Sequence, residues 1–384
     1  MSVVLGALVA LASASCAAEA TKAGKPAKSE KSEAETAPVN GAITVAVLQF
    51  KNLCGDATID WLGYGFAESL CTKLSNVSGI VLVERDQLSK ALKELQLQDT
   101  AVVDPKTAGK LGKVVGAKYV IVGSYQKAGD SLKADARRVE VETSIASGGV
   151  ESTGKYDKVF DVQSDLALKL VESFGKKVTE AEKLEVSRPE TTSVDAYELN
   201  AKGLAASQMM NIDEAGSFFS QAIEKDPKYV EAYYNRGVIR FMRQDFAGAS
   251  SDLNKAIELD PKNPMAYISR GMCYIASMDY VQGMADLNKA IQVAPDDFRG
   301  YGARALAYMN AGDAISAMPD INKVIKLNPK LPDAYFARAM CNIAMGFTAT
   351  VENDVRKGIS LGGTCPPQLL QMLVMMGIDV TGDE

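Results

Sequence analysis

The chain has 384 residues, enough for more than one hydrophobic core, since single cores stop growing near ~250–300 residues. Its formal net charge of −6 supplies no basic face for nucleic acid, and 47% hydrophobic with 23% charged residues is ordinary for a soluble globular protein. Histidine is absent, which removes Ser–His and Cys–His nucleophile pairs, histidine bases and histidine–zinc sites. Six cysteines (16, 54, 71, 273, 341 and 365) form no C-x-x-C, so no metal, no cofactor and no catalytic residue is expected.

Val3 to Ala14 is almost wholly apolar, too short to span a bilayer as a helix, and ends in small residues, as a secretory signal over residues 1–17 would. Ser13-Ala14-Ser15-Cys16-Ala17 resembles a bacterial lipoprotein signal, in which Cys16 would carry the lipid and tether the chain to a membrane. Position 13 holds Ser where such signals usually have Leu or Val, and no Lys or Arg precedes the apolar run, so ordinary cleavage near Ala14 or Ala17 stands beside lipidation. Residues 18–41 (Ala, Lys, Glu, Thr, Pro) lack the apolar bulk for a core and read as a flexible linker. The expectation is export, to the periplasm or outer membrane of a Gram-negative bacterium.

Residues 42–184 predict a mixed sheet with packed helices. Ile43 to Phe50 is a β-branched run suited to a buried strand, and Asp60 to Val77 places Leu62, Phe66, Leu70 and Leu74 at helical spacing behind Asp60 as a cap. A strand at Ile80 to Val83, a helix at Glu84 to Leu97 and a helix opened by Asp104-Pro105 follow. Tyr119 to Tyr125, Ser131 to Ala146 and Val150 to Phe160 read as strands joined by turns at Ala128-Gly129-Asp130 and Ser147-Gly148-Gly149, before a helix from Val162 to Leu184. Gly116 and Gly123 lie near a strand but in no phosphate-loop pattern, and read as turns or close backbone approach.

The segments VAVLQFKNLCGD, VLVERDQLSKALKELQLQ and DPKTAGKLGKVVGAKYVIVGSYQKAGD resemble the N-terminal module of CsgG-family lipoproteins and TolB-like N-terminal domains. The resemblance implies a periplasmic α/β domain and, for some members, a ring that forms an outer-membrane secretion channel, with self-association to match. A channel needs long extra hairpins whose strands are ~9–11 residues of alternating lipid-facing side chains. The hairpins here are short and charged (Lys133, Asp135, Arg137, Arg138, Glu140, Glu142), which disfavours a pore.

From Ala196 the chain repeats every 34 residues without insertion, starting again at Val230, Pro264, Phe298 and Pro332 and ending near 363. Position 8 is Gly203, Gly237, Gly271, Ala305 and Ala339, and position 32 is Pro227, Pro261, Pro295, Pro329 and, departing, Gly363. Small residues let two helices approach and proline ends the second. This is the tetratricopeptide pattern, so the fold class is an α/β domain followed by an all-α superhelix of five repeats, with residues 364–384 (QLLQMLVMM among them) as a C-terminal cap.

Arg236, Arg270, Arg304 and Arg338 at position 7 appear wherever Asp252, Asp286, Asp320 and Asp354 appear at position 23, and both are missing from the first repeat. Structural Arg–Asp bridges between paired helices are expected. Positions 2, 5, 9, 12 and 13 form a separate stripe that lines the concave groove of such arrays. Its apolar members are Tyr234, Val238, Phe241, Met242, Met265, Ile268, Met272, Ile275, Leu306, Met309, Phe336, Met340 and Ile343. They are expected to bind a protein or peptide partner with an apolar segment, Met suiting irregular partners; cover by the C-terminal segment is the alternative. Cys273 and Cys341 read as small buried residues, while Cys54 and Cys71 could pair after export. The functional expectation is an exported envelope scaffold; a CsgG-like secretion component and a carboxylate-based hydrolase are the alternatives.

Overall fold

The computed structural model describes residues 43–83, 85–97 and 104–378, so the expected signal, linker and Cys16 lie outside the described residues. Those residues fall into two compact units, one ending at Ile239 and the other beginning at Arg240.

The first unit is built on a sheet. Strand β1 (Ile43–Val47) lies parallel between β3 (Ile80–Leu82) and β4 (Tyr119–Ala128), with Val45 opposite both Leu82 and Tyr119. The short β2 (Lys51–Asn52) also pairs with β4, and β5 (Ser131–Glu140) and β6 (Ile145–Lys155) extend the sheet antiparallel. Strand alternation sends Val45, Val47, Ile121, Leu132 and Ala134 to one face. There they meet Leu62, Phe66 and Leu70 of α1 (Trp61–Ser75) and Val162, Leu166 and Leu170 of α4 (Val159–Ser173). Ala46, Leu48, Val120, Val122 and Val139 point the other way, onto Leu88 and Leu92 of α2 (Arg85–Glu94) and Ala108 and Leu111 of α3 (Pro105–Val114). Each fully buried Leu or Val contributes ~1.5–3 kcal/mol, which holds the three layers together.

Local chemistry explains where the elements begin, and three of the expected boundaries move. Asp104 caps α3 as expected, accepting from the N–H groups of Lys106 and Thr107. Asp60 does not cap α1 with its side chain; its carboxylate accepts from Asn52 Nδ2 at 2.7 Å instead. The Ser147-Gly148-Gly149 segment is not a turn. The hairpin reverses at residues 141–144, and Gly148, with φ +60°, forms a bulge inside β6 where the register against β5 slips by one. The expected helix from Val162 to Leu184 is two, because Gly175 (φ +73°) ends α4 and Thr179 with Glu182 forms a capping box that starts α5 (Glu180–Ser187). Gly123 is where the ring of Phe50 presses on β4, so any side chain there would collide with it.

The first repeat belongs to this unit. Its helices α6 (Val194–Gln208) and α7 (Ile212–Lys225) share one continuous core with α1 and α4 through Ala196, Tyr197, Ala201 and Ala222, joined by Tyr229 from the turn after α7. The boundary drawn from sequence between residues 184 and 196 therefore carries packed core across it. Helix α8 (Val230–Met242) follows, its first turns in the first unit.

The second unit continues the 34-residue rhythm as α9 (Phe246–Leu259), then the pairs α10 (Pro264–Ala276) with α11 (Tyr280–Val293), α12 (Phe298–Asn310) with α13 (Ala314–Leu327), and α14 (Pro332–Ala344) with α15 (Val351–Ser360). It closes with α16 (Pro367–Met375). Gly271 and Gly283 face each other closely enough that a Cβ on either would meet the other's carbonyl oxygen near 3 Å. This is the close helix approach expected of position 8. Every repeat turns at position 15 through a left-handed residue: Met210, Gln244, Met278, Gly312 and Gly346 have φ of 61, 64, 66, 77 and 80°. Asp245, Asp279 and Asp313 at position 16 then cap the second helix. A non-glycine residue in this region is strained, and Met278 is exposed there. Met278→Gly is accordingly expected to stabilise the chain by ~0.5–1 kcal/mol, read as a higher urea midpoint.

Candidate protein-binding site

The repeats present two kinds of recurring side chain, one that builds the array and one that could meet a partner. The first is fully organised in the second unit. Arg270, Arg304 and Arg338 each grip the aspartate of the same repeat through Nε and Nη2, at 2.6–2.9 Å to Asp286, Asp320 and Asp354. These forks are bidentate, and the aspartates are buried. Asp252 is held by Arg240 Nη1 at 2.9 Å, while Arg236 donates to Ser220 Oγ at 3.2 Å.

Two further members of the motif escaped the sequence reading. The remaining guanidinium nitrogen of Arg270, Arg304 and Arg338 donates backward to Asn254, Asn288 and Asn322, position 25 of the preceding repeat, at 2.6, 2.6 and 3.2 Å. Ser220 takes that place for Arg236. Each arginine also lies over a tyrosine at position 4 (Tyr267, Tyr301 or Tyr335), whose hydroxyl donates to the carbonyl of the proline that ends the previous repeat. One arginine thus bonds within its own repeat and to the one before. The signal was present as Asn at a fixed offset of 16 before each arginine.

The concave stripe is less open than expected. Met265, Ile268, Met272 and Ile275 are each at most 5% exposed, and Tyr234 and Phe336 are buried as well. A partner reaches those side chains only after a rearrangement. At the last repeat the cover is visible: Leu369 and Leu373 of α16, with Cys365, enclose Phe336 and pack against Met340 and Ile343. The C-terminal segment thus packs on three of the residues expected to bind a partner. Val238, Phe241, Met242, Leu306 and Met309 remain half-buried, with Phe241 packed on Phe246 at 5.5 Å between ring centres. Exposed apolar side chains lie elsewhere, on the turns between paired helices (Met278, Phe347) and in the first turn of the helix that follows (Val281, Ile315), at 64–81% exposure.

The remaining chemistry is quiet. Among the described residues no group of three or more Cys, Asp and Glu could hold a metal ion, and no helix is long and apolar enough to cross a membrane. Cys54 and Cys71 are not joined in a disulfide, contrary to the pairing considered for them; Cys54 Sγ accepts from the Lys127 N–H. Cys273 and Cys341 are buried, and burial pushes their thiols up to about 12 and about 11, so they stay protonated and inert.

Residues 27–181 match the family model of the curli production assembly/transport component CsgG. Residues 230–263 and 298–331 match two tetratricopeptide-repeat models. Over 205 residues the chain is 26% identical to a protein of Rhizobium meliloti (strain 1021) named "Putative adenylate cyclase 3". That match takes in 51% of this chain but 32% of the relative, so the chain spans about a third of its length. Among solved structures, MamA from Desulfovibrio magneticus RS-1 is 18% identical, covering 45% of this chain and 97% of that one with a TM-score of 0.39. YrrB, described as a TPR protein with an unusual peptide-binding site, is 16% identical, covering 47% and 92% with a TM-score of 0.36. The chain carries a CsgG-like domain followed by tetratricopeptide repeats.

Proposed function

We propose that this chain is an exported, non-catalytic scaffold of the bacterial cell envelope. Its repeats hold a protein or peptide partner with an apolar segment, and its CsgG-like domain docks on a membrane-associated assembly. The observation that carries the reading is the gap-free repeat array, whose arginines hold repeats together and whose half-buried apolar residues lie on the first helix of a pair. Envelope placement rests on the CsgG match and on the apolar N-terminal segment with Cys16 as its lipid acceptor. The cyclase named for the R. meliloti relative is a property of a protein about three times the matched length, and a chain without histidine is better suited to binding than to acid–base chemistry.

The test is recovery of partners from an envelope extract by the full chain and two double variants. Met242→Glu with Met309→Glu places charge in the half-buried stripe, and Val281→Glu with Ile315→Glu places it on the exposed first turns of α11 and α13. The first pair is expected to cut recovery at least ~10-fold and the second to leave it unchanged, because desolvated apolar anchors dominate binding energy. Equal recovery from both would remove the stripe as the partner site.

A further inference from the structure

The seam between the α/β layers and the first repeat is polar at its centre. On the buried side of α1 lie Glu68, Ser69 and Lys73. Arg85 Nε binds Glu68 at 2.6 Å. Lys73 Nζ donates to Ser164 Oγ, Val186 O and Arg188 O at 3.0, 2.7 and 3.2 Å, which ties α1 to α4 and to the strand of chain leaving α5. Ser69 donates to Gln163, Gln163 donates to Tyr197 Oη, and Tyr197 Oη donates to Gly65 O, so α6 is hydrogen-bonded through Tyr197 to the two helices that cover the sheet, α1 and α4. Beyond it, Asn235 donates to Asn200, and Asn200 donates to Tyr229 Oη.

Into this network the connecting segment inserts Glu190. Its Oε2 is 3.5 Å from the Tyr229 hydroxyl, and its Oε1 is buried with no hydrogen-bond partner. A carboxylate in that position lacks the donors that would replace its water, and Glu68 adds a like charge from α1. Among the described residues, Lys73 on α1 is the cation that favours its charged form, Arg85 being engaged with Glu68, and Tyr197 on α6 and Tyr229 before α8 also face it.

We propose that Glu190 is a protonation-gated latch: as the neutral acid it stays beneath Tyr229 and the first repeat remains seated on α1, and as the anion it leaves for water and loosens that seat. Burial, and after it the charge of Glu68, push the Glu190 carboxyl up to about 7 against the pull of Lys73 and Tyr229. An acid raised in the folded state stabilises it fully below its unfolded value, here 4.5, and that contribution is lost as pH rises through the folded value. The latch is therefore closed in mild acid and opens across neutrality. Lys73, pushed down by burial, is the counter-charge that limits how far it opens.

Trp61 is the chain's one tryptophan, and its indole stands edge-on to Tyr197 at 5.8 Å in this seam, so intrinsic fluorescence of the full chain reads the latch. Titrated from pH 5.5 to 8.5, the wild type is expected to show one transition near neutrality. Glu190→Gln, which mimics the neutral acid, abolishes it, and Tyr229→Phe, which removes a bond to the anion, raises its midpoint by about half a unit. Amides of 194–208 exchange ~10-fold faster above the transition than below it once corrected for intrinsic rates. A flat wild-type titration, or a transition that persists in Glu190→Gln, overturns the proposal. If Glu190→Gln does not fold, an unmoved midpoint in Tyr229→Phe overturns it equally.

Discussion

Arg304→Ala is expected to lower the stability of the repeat array by ~3 kcal/mol, because it strands a buried carboxylate rather than merely deleting a surface charge. Asp320 is 4% exposed and receives both of its charged donors, Nε and Nη2 at 2.7 Å, from this one guanidinium. The same side chain reaches Asn288 of the preceding repeat at 2.6 Å and covers the Tyr301 ring, so its loss removes a contact between repeats as well as one within a repeat. In a linear array stability is a sum of repeat terms and neighbour terms, and a central break acts on both. Urea unfolding should therefore show a lower midpoint and a shallower slope. Arg304→Lys recovers little, since a point charge cannot make the fork and the backward bond together. Arg304→Met with Asp320→Leu recovers most of the loss, because a buried pair replaced by apolar groups of similar volume is close to neutral. A single-site loss under 1 kcal/mol would mean that Asp320 is solvated in practice.

That arginine also shows how far the sequence could be read. The gap-free period of 34 made the five helix pairs legible, and the joint presence and absence of Arg and Asp within a repeat made their pairing legible. Asn288 was not, because its partner lies in the next repeat and the link exists only once the superhelix sets their relative height. The sheet layers were legible from β-branched runs and leucine stripes, but Gly148-Gly149 was misjudged. A glycine pair can serve a hairpin or a bulge equally well, and the register against β5 decides between them. The stripe was found by helical spacing, which assigns residues to a face without saying what lies on that face. For Phe336, Met340 and Ile343 the answer is α16.

Tyr197→Ala is expected to be the most damaging single truncation in the seam, at ~4 kcal/mol, within the range for removing a large buried aromatic. Tyr197 occupies position 2 of the first repeat, a concave-stripe position in the other repeats. Here it is 2% exposed and enters the α/β layers instead. Its ring meets Trp61 and Phe160 edge-on at 5.8 and 5.2 Å, and Gly65 is bare so that the ring can lie against α1. The truncation leaves a cavity, strands Gln163 Nε2 and removes the second bond to Gly65 O, which keeps its helical donor. Tyr197→Phe isolates the second effect, at ~1–2 kcal/mol. The readout is urea unfolding followed by Trp61 fluorescence, which should start red-shifted in the alanine variant because water enters beside the indole. A loss for Tyr197→Ala no larger than that for Tyr197→Phe would show that the first repeat is held by its hydrogen bonds alone. The large loss expected instead makes the first repeat a structural part of the unit built on the sheet, sharing its core through Tyr197.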